Sequence, residues 1–104
     1  MIPMLCENQA ALSALCRSYG VRRLEVFGSA ATPDRFDPET SDLDFIVEFK
    51  PGQQMGPWLK HYFDFRAELE GLFQRRVDLV MSSAIKNPLL IREISRTRTT
   101  LYAA

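Results

Sequence analysis

Two short stretches place carboxylates where a strand would otherwise carry apolar side chains. In "SDLDFIVEF", residues 41–49, Asp42 and Asp44 are two positions apart, so both side chains project from one face if a strand begins at residue 42. Neighbouring anions repel, and when they are partly desolvated they favour protonation unless a cation compensates. A divalent metal ion is the simplest compensation. Asp78 raises the same problem in "VDLV", and it completes a three-carboxylate cluster if the two strands pair.

A Gly-Ser pair follows the first short apolar run, in "VFGSAA". Gly28 permits close approach of the backbone to a ligand, and Ser29 offers a hydroxyl group to a phosphate. Carboxylate oxygens suit Mg²⁺, which commonly shares protein carboxylates with substrate phosphates. Together with the aspartates, this pair predicts a site for phosphoryl or nucleotidyl transfer, in which two metal ions stabilise the attacking and leaving oxygens.

Each of these elements has an ordinary structural interpretation when it is taken alone. A Gly-Ser pair is more often a simple turn, and a Ser-Asp-x-Asp stretch more often caps a helix or a turn. Asp78 could be a strand-edge residue paired with Arg75 or Arg76. The prediction of a catalytic site therefore depends on the conjunction of all of them.

Hydrophobic periodicity predicts the elements that must position these residues. The expected elements are helices at 4–19, at 58–73 and in "NPLLIREI", strands at 22–27, 43–49 and 76–81, and an exposed loop at 30–41. The strand at 43–49 is apolar on both faces, as is typical of a central strand covered by helices. This order predicts one small α/β or α+β domain over residues 1–104, with helices packed on a mixed β-sheet.

Composition and charge narrow the classes of function. The chain has 104 residues, 46% of them hydrophobic and 25% charged, which is too short for two cores and typical of a globular domain. Its zero net charge argues against nucleic-acid binding driven by phosphate neutralisation. Two thiols and one histidine cannot form the usual four-ligand zinc site. Cys6 and Cys16 are expected to be reduced, because ten residues apart on a predicted helix they point in different directions. Without a signal-like start or a run of roughly 18 apolar residues, we expect a cytoplasmic protein with no membrane span.

Several other side chains favour a structural interpretation. His61 is expected to be solvated or interfacial, and the arginines of "REISRTR" to lie at a solvated helix end or, alternatively, on a basic surface for a partner or phosphates. Leu101 and Tyr102, near the carboxyl terminus, suggest packing or an interface. The aromatic residues of the long helix are expected in the core, although some could form the floor of an adenine pocket: Trp58, Tyr62, Phe63, Phe65 and Phe73.

The chain resembles the nucleotidyltransferase superfamily of DNA polymerase β type, and within it the minimal (MNT) proteins encoded beside HEPN-domain toxins. The likeness runs from "YGVRRLEVFGS" through "SDLDFIVEF" and "VDLV" to "LIREISRTRTTLY". It implies that Gly28 and Ser29 hold the triphosphate of ATP and that Asp42 and Asp44 bind Mg²⁺. Asp78 would ligate the metal beside the acceptor hydroxyl and help to activate it. The resemblance also implies an antitoxin that forms a hetero-oligomer with a HEPN-domain toxin and transfers AMP to one of its tyrosines.

The chain departs from this family pattern at one place. Many minimal members read Gly-Ser-x-Ala-Arg-Gly, whereas "AATP" follows the Gly-Ser pair here. The connecting loop carries the acidic residues Asp34, Asp37 and Glu39, although Arg35 could reach back. The missing arginine motivates an alternative function, in which an antitoxin neutralises its partner by binding alone and the site is vestigial. A third interpretation is a nucleotidyltransferase subunit that acts on a small-molecule acceptor.

Overall fold

The computed structural model of the protein describes residues 3–31 and 42–104, apart from the side chains of residues 29 and 30. Residues 32–41, which form most of the predicted loop, lie outside the described part of the chain. The described helices are α1 (Pro3–Glu7), α2 (Gln9–Ser18), α3 (Lys60–Phe73) and α4 (Pro88–Thr97). The described strands are β1 (Val21–Phe27), β2 (Leu43–Phe49), β3 (Val77–Met81) and β4 (Thr99–Ala103).

The four strands form one mixed sheet in the order β3-β2-β1-β4. β1 is antiparallel to β2 and to β4, whereas β2 and β3 are parallel. The parallel pair is connected through α3, as a crossover between parallel strands requires. The predicted mixed sheet is confirmed, and β2 is a central strand as its apolar sequence indicated.

The two faces of the sheet carry different side chains. Phe45 and Val47 of β2 are fully buried in a core shared with α2 and α3, and burial of such side chains contributes about 1.5 to 3 kcal/mol each. Asp44 and Ile46 alternate with them and point to the opposite face, where Ile46 lies beside Ile94 of α4. The helices α2 and α3 therefore cover one face, and α4 covers part of the other.

The predicted helix at residues 4–19 is in fact two helices, because Asn8 interrupts it. The Asn8 side chain donates a hydrogen bond from Nδ2 to the carbonyl oxygen of Met4 at 2.8 Å, and its backbone has a ψ of 16°. Asparagine favours such breaks because its side chain competes with backbone hydrogen bonding. Leu5 and Leu12 are nevertheless both fully buried, which explains why the periodicity indicated one continuous helix.

The long helix begins two residues later than predicted, because Trp58 and Leu59 have left-handed φ angles of 55° and 57°. L-residues do not continue a right-handed helix in that conformation. The turn directs Trp58 into solvent, where it is 93% exposed, and Phe63 is 51% exposed. The prediction of a core position is therefore wrong for Trp58 and Phe63, and it is confirmed for Phe65 and Phe73.

The sequence analysis missed the fourth strand, β4, which pairs with β1. The sequence has no turn residues before β4 that would indicate a new strand, because β4 starts two positions after the last residue of α4. Leu101 is 5% exposed and joins the core beneath the sheet, so packing rather than an interface explains its apolar side chain. By pairing with β1, the strand also satisfies backbone groups that would otherwise form an open sheet edge.

Arg98 lies just after α4 and forms an ion pair with Glu25 of β1, which corrects the expectation of a solvated helix end for this arginine. Its Nε and Nη2 donate to the two carboxylate oxygens of Glu25 at 2.9 and 2.6 Å. Glu25 is only 6% exposed, and the hydrogen bonds from Arg98 lower the pKa of its carboxyl group. A charge in this position depends on its partner, because burial of an unpaired carboxylate is costly.

Replacing Arg98 with methionine should lower the free energy of unfolding by about 2 kcal/mol at neutral pH, because Glu25 is then left buried without its partner. A lowered carboxyl pKa contributes stability that is present above about pH 4.3 and is lost as the pH falls through the pKa of the folded state, so the deficit should shrink in acid. Urea unfolding at pH 7 and at about pH 3 measures both effects.

Arg22→Met, which breaks the exposed 3.8 Å pair with Glu48, is the control and should cost less than about 0.5 kcal/mol. Equal effects of the two substitutions would contradict a special role for Arg98.

The two cysteines are both free, with Cys6 exposed and Cys16 buried. Burial raises the pKa of the Cys16 thiol to about 12, so this thiol stays protonated near neutral pH and is a poor nucleophile. Across residues 3–31 and 42–104, the helices are too short or too polar to cross a bilayer.

Candidate active site

Three strands bring the predicted site residues to one end of the sheet. β1 ends at Phe27, which lies opposite Asp44 in the antiparallel pair, and Asp44 lies opposite Asp78 in the parallel pair. Asp42 immediately precedes β2, one residue before the strand begins. Residues from three separate parts of the sequence therefore meet at this end, on the face of the sheet opposite the core of α2 and α3.

The carboxyl group of Asp44 is strongly affected by its surroundings. Its side chain is half-buried, whereas Asp78 is exposed. Burial, and then the negative charges of Asp78 and Asp42, raise the pKa of Asp44 to about 6. Burial and neighbouring negative charges both favour the protonated, neutral form of a carboxyl group. The geometry thus brings the three carboxylates close enough to interact, as their spacing predicted.

Gly28 follows β1 directly and lies against the Asp44 carboxylate. Its φ angle is +72°, a conformation that favours glycine, and a Cβ at this position would be 2.9 Å from Oδ2 of Asp44. The chain then forms a 3-10 turn at Gly28–Ala31, which includes the backbone of Ser29. The Ser29 side chain is outside the described part of the structure, so its predicted contact with phosphate stays a prediction.

The donor chemistry of the three aspartates fits Mg²⁺, although their side chains do not yet form a coordination sphere. Within the described ranges, no three acidic, histidine or cysteine side chains are already arranged to hold a metal ion. The three side chains would have to rotate before their oxygens could bind one metal ion. Such rotation is open to them, because Asp42 and Asp44 are half-buried and Asp78 is exposed. Their excess negative charge, evident in the raised pKa of Asp44, is what a hard divalent cation would neutralise.

Thr97, the last residue of α4, is a site residue that the sequence analysis missed. Its Oγ1 accepts a hydrogen bond of 2.8 Å from the backbone amide of Gly28, 69 positions away in the chain. Thr97 and Gly28 also line a cavity of about 270 Å³ between the end of β1 and α4, together with Phe27, Leu90, Glu93, Ile94 and Arg96. No local pattern in "SRTRTT" distinguishes this threonine, because its partner is set by the tertiary fold.

His61 lies away from the three aspartates and has structural contacts. It is half-buried rather than solvated, its Nε2 is 2.6 Å from the carbonyl oxygen of Tyr19, and its ring packs against those of Tyr19 and Phe49. Phe49 is at the end of β2 opposite to the aspartates. These contacts agree with the expectation that His61 has no catalytic role.

The raised pKa of Asp44 predicts a pH dependence of stability in metal-free protein. Because the folded-state pKa of about 6 exceeds the unfolded value of 3.8, the stabilising contribution of the proton is fully present below about pH 4 and is lost as the pH rises through 6. Because the half-buried carboxyl group is partly screened by solvent, the free energy of unfolding should fall by on the order of 1 to 2 kcal/mol relative to Asp44→Asn between about pH 4 and pH 8. Urea unfolding of both proteins in EDTA measures this difference, and parallel pH profiles would show that Asp44 is not perturbed.

Comparison of the sequence with protein families gives a match over almost the entire chain. The family model described as "Nucleotidyltransferase domain" matches residues 9–100. The protein adenylyltransferase MntA of Thermococcus cleftensis is 35% identical over 79 residues, which cover 73% of this chain and 74% of MntA. The region matched by the family model contains all five residues of the predicted site.

Comparison with solved structures identifies the same fold. A structure described as a candidate minimal nucleotidyltransferase is 33% identical, covers 91% of this chain and 90% of its own, and superposes with a TM-score of 0.71. The complex of the tri-AMPylated Shewanella oneidensis HEPN toxin with its MNT antitoxin also matches, with a TM-score of 0.64 over 96% of this chain and 73% of that one. Its identity of 16% supports the likeness of fold alone.

Proposed function

Because this chain belongs to the nucleotidyltransferase domain family, we propose that it transfers AMP from ATP to a hydroxyl group of a partner protein in a magnesium-dependent reaction. The observation that carries this proposal is the position of Asp44, which lies against Gly28 and opposite Asp78. A half-buried carboxylate beside two others is destabilised unless a cation is bound. AMP as the transferred group is supported by the likeness to MntA, which is a protein adenylyltransferase.

The residues have distinct roles in this proposal. Asp42 and Asp44 would hold the metal, and Gly28 lets the triphosphate approach the turn that it begins, with Ser29 offering its hydroxyl group. Bound Mg²⁺, as two ions, would neutralise phosphate charge and favour deprotonation of the acceptor. Asp78 is the exposed carboxylate of the set, so it can be reached by a large acceptor and can help to remove the hydroxyl proton.

The bond changes are those of a single displacement at the α-phosphate. The acceptor oxygen forms a bond to the α-phosphorus while the bond from that phosphorus to the pyrophosphate oxygen breaks. The hydroxyl proton leaves through Asp78 to solvent, and pyrophosphate carries away the electron pair of the broken bond. The protein contributes mostly positioning and charge, since this kind of transfer needs little covalent chemistry from the enzyme.

We further propose that the acceptor is a tyrosine of a HEPN-domain toxin and that the chain is its antitoxin. The related fold of the MNT antitoxin, in complex with a tri-AMPylated HEPN toxin, supports this partner. A tyrosine on a protein surface could reach Asp78, because this carboxylate is exposed. Toxin and antitoxin would then form a hetero-oligomer.

Intact-mass spectrometry tests this function directly. The purified protein is incubated with its co-purifying partner protein, Mg²⁺ and each nucleoside triphosphate in turn, and Asp42→Asn is the matched control. We expect the partner to gain one or more AMP units only with ATP and the unmutated protein. A partner protein that gains AMP at the full rate with the Asp42→Asn variant would contradict the proposal.

A non-catalytic antitoxin is the second candidate, and an exposed apolar surface offers the contact with a partner that this function needs. Leu89, Leu90 and Ile91 of α4 are 70%, 44% and 42% exposed, which is typical of a surface that contacts a partner. Under this alternative, a triple variant of Asp42, Asp44 and Asp78 would still neutralise the toxin. The mass of the partner protein would not change with any of the nucleoside triphosphates. AMP transfer to a small molecule but not to protein would indicate the third interpretation, an enzyme with a small-molecule acceptor.

A further inference from the structure

The turn that begins at Gly28 is held from the opposite side by α4. The backbone amide of Gly28 donates to Oγ1 of Thr97 at 2.8 Å, although the two residues are 69 positions apart. On its other side, Gly28 lies so close to Asp44 that a Cβ would be 2.9 Å from Oδ2. The position of Gly28 is therefore fixed between the Thr97 hydroxyl and the carboxylate of a proposed metal ligand.

Thr97 is itself fixed by its neighbours. The following residue, Arg98, forms the two hydrogen bonds to Glu25 of β1, and the Arg98 amide donates to the carbonyl oxygen of Ile94 at 2.8 Å. Ile94 is 3% exposed. The hydroxyl of Thr99 donates to the Thr97 carbonyl oxygen at 3.1 Å. The end of α4 is thus attached to β1 directly beside Thr97, which restricts where the Thr97 hydroxyl can lie.

Loss of this hydroxyl would leave a part-buried amide without its acceptor. An unsatisfied buried donor is unfavourable, so the Gly28 backbone would rotate to find water. Gly28 starts the turn at Gly28–Ala31, and rotation there would displace the whole turn relative to Asp44. A displacement of about 1 Å in a catalytic arrangement is enough to reduce rate strongly.

We infer that Thr97 is a positioning residue of the nucleotidyl transfer site: its hydroxyl holds the amide of Gly28 and thereby sets the turn that receives the triphosphate against Asp44. This inference rests on the proposed function and deepens it. It also means that the Gly28 amide is already used within the protein. Phosphate oxygens are then bound by later groups of the turn, and Gly28 supplies close approach rather than a hydrogen bond.

The test compares Thr97→Val, which keeps the side-chain shape and removes the acceptor, with Thr97→Ser, which restores a hydroxyl. Thr97→Val should lower kcat/KM for ATP about tenfold in the AMP-transfer assay, and Thr97→Ser should recover activity to within about twofold of the unmutated protein. Thr100→Val is the control, because Thr100 is an exposed residue of β4 outside the site, and it should leave kcat/KM unchanged.

Amide hydrogen exchange gives a second readout that does not depend on activity. In Thr97→Val, protection of the Gly28 amide should fall about tenfold or more relative to the Lys50 amide, which donates to the Gly20 carbonyl at the other end of the sheet. A general loss of stability would reduce protection of both amides together. Thr97→Ser should restore the protection of Gly28.

The outcomes separate this inference from the proposed function. Unmutated protein that neither binds ATP nor transfers AMP would overturn both. Active unmutated protein with equal kcat/KM in Thr97→Val, or with unchanged protection of the Gly28 amide, would overturn the role of Thr97 alone. Failure of Thr97→Ser to recover either quantity would show that a hydroxyl group at position 97 does not by itself hold the Gly28 amide, which also overturns the inference.

Discussion

Replacing Asp44 with asparagine should reduce the rate of AMP transfer by about a thousandfold while the protein stays folded. A bound metal ion contributes several kcal/mol of charge stabilisation to the transition state, and each 1.4 kcal/mol is about tenfold in rate. The amide keeps the shape of the carboxylate but removes the negative charge. Transfer is measured as the rate of AMP incorporation into the partner protein at saturating ATP.

Stability separates the loss of a metal ligand from unfolding of the variant. Because the pKa of Asp44 is raised to about 6 by burial and by neighbouring aspartates, the neutral asparagine should make the metal-free protein at least as stable at neutral pH. Glu48→Gln is the matched control, since Glu48 lies on the same face of β2, four positions away. We expect it to retain full activity. Asp44→Asn with near-normal transfer would contradict a metal-binding role for Asp44.

Replacing Gly28 with alanine should lower AMP transfer about a hundredfold and the free energy of unfolding by about 1 to 2 kcal/mol. The loss of stability comes from the φ of +72°, which L-residues adopt at a cost. The loss of activity comes from the added Cβ, which would be 2.9 Å from Oδ2 of Asp44 and must displace either the carboxylate or the turn. A displaced catalytic group commonly costs a factor of about a hundred.

Gly52→Ala is the control that separates the two effects. Gly52 has a similar φ of +83°, but a Cβ there meets none of the described atoms within 4 Å. It should therefore show the same kind of backbone strain in urea unfolding and normal AMP transfer. If Gly28→Ala and Gly52→Ala lose activity equally, the contact between Gly28 and Asp44 is not what the reaction depends on.

The fold could be predicted to the extent that hydrophobic periodicity reports burial. Strand β2 was predicted at its observed bounds, because apolar side chains cover both of its faces. The break at Asn8 was not predicted, because burial continues on one face through the interruption. Strand β4 was not predicted either, because its pairing with β1 depends on where α4 ends in space.

The acidic residues of the candidate site could be predicted from the sequence, whereas the residues that hold the neighbouring backbone and strand in place could not. Asp42, Asp44 and Asp78 could be identified because a carboxylate within an apolar run needs compensation, and this need is visible in sequence. Arg98 and Thr97 could not, because each depends on a partner more than 60 positions away. Polar side chains at a helix end have many ordinary explanations, and only the fold selects one.

The amino-acid sequence by itself determined which groups are available for chemistry and which segments are buried, because side-chain charge and hydrophobic periodicity are local properties. It therefore predicted a mixed sheet and a magnesium site for phosphoryl or nucleotidyl transfer, and the resemblance of its motifs added the family. Tertiary structure alone decided that Asp44 lies against Gly28, that Glu25 is neutralised by Arg98, and that Thr97 accepts the Gly28 amide. Those contacts join distant residues, and their geometry follows from strand register and helix placement rather than from any spacing along the chain.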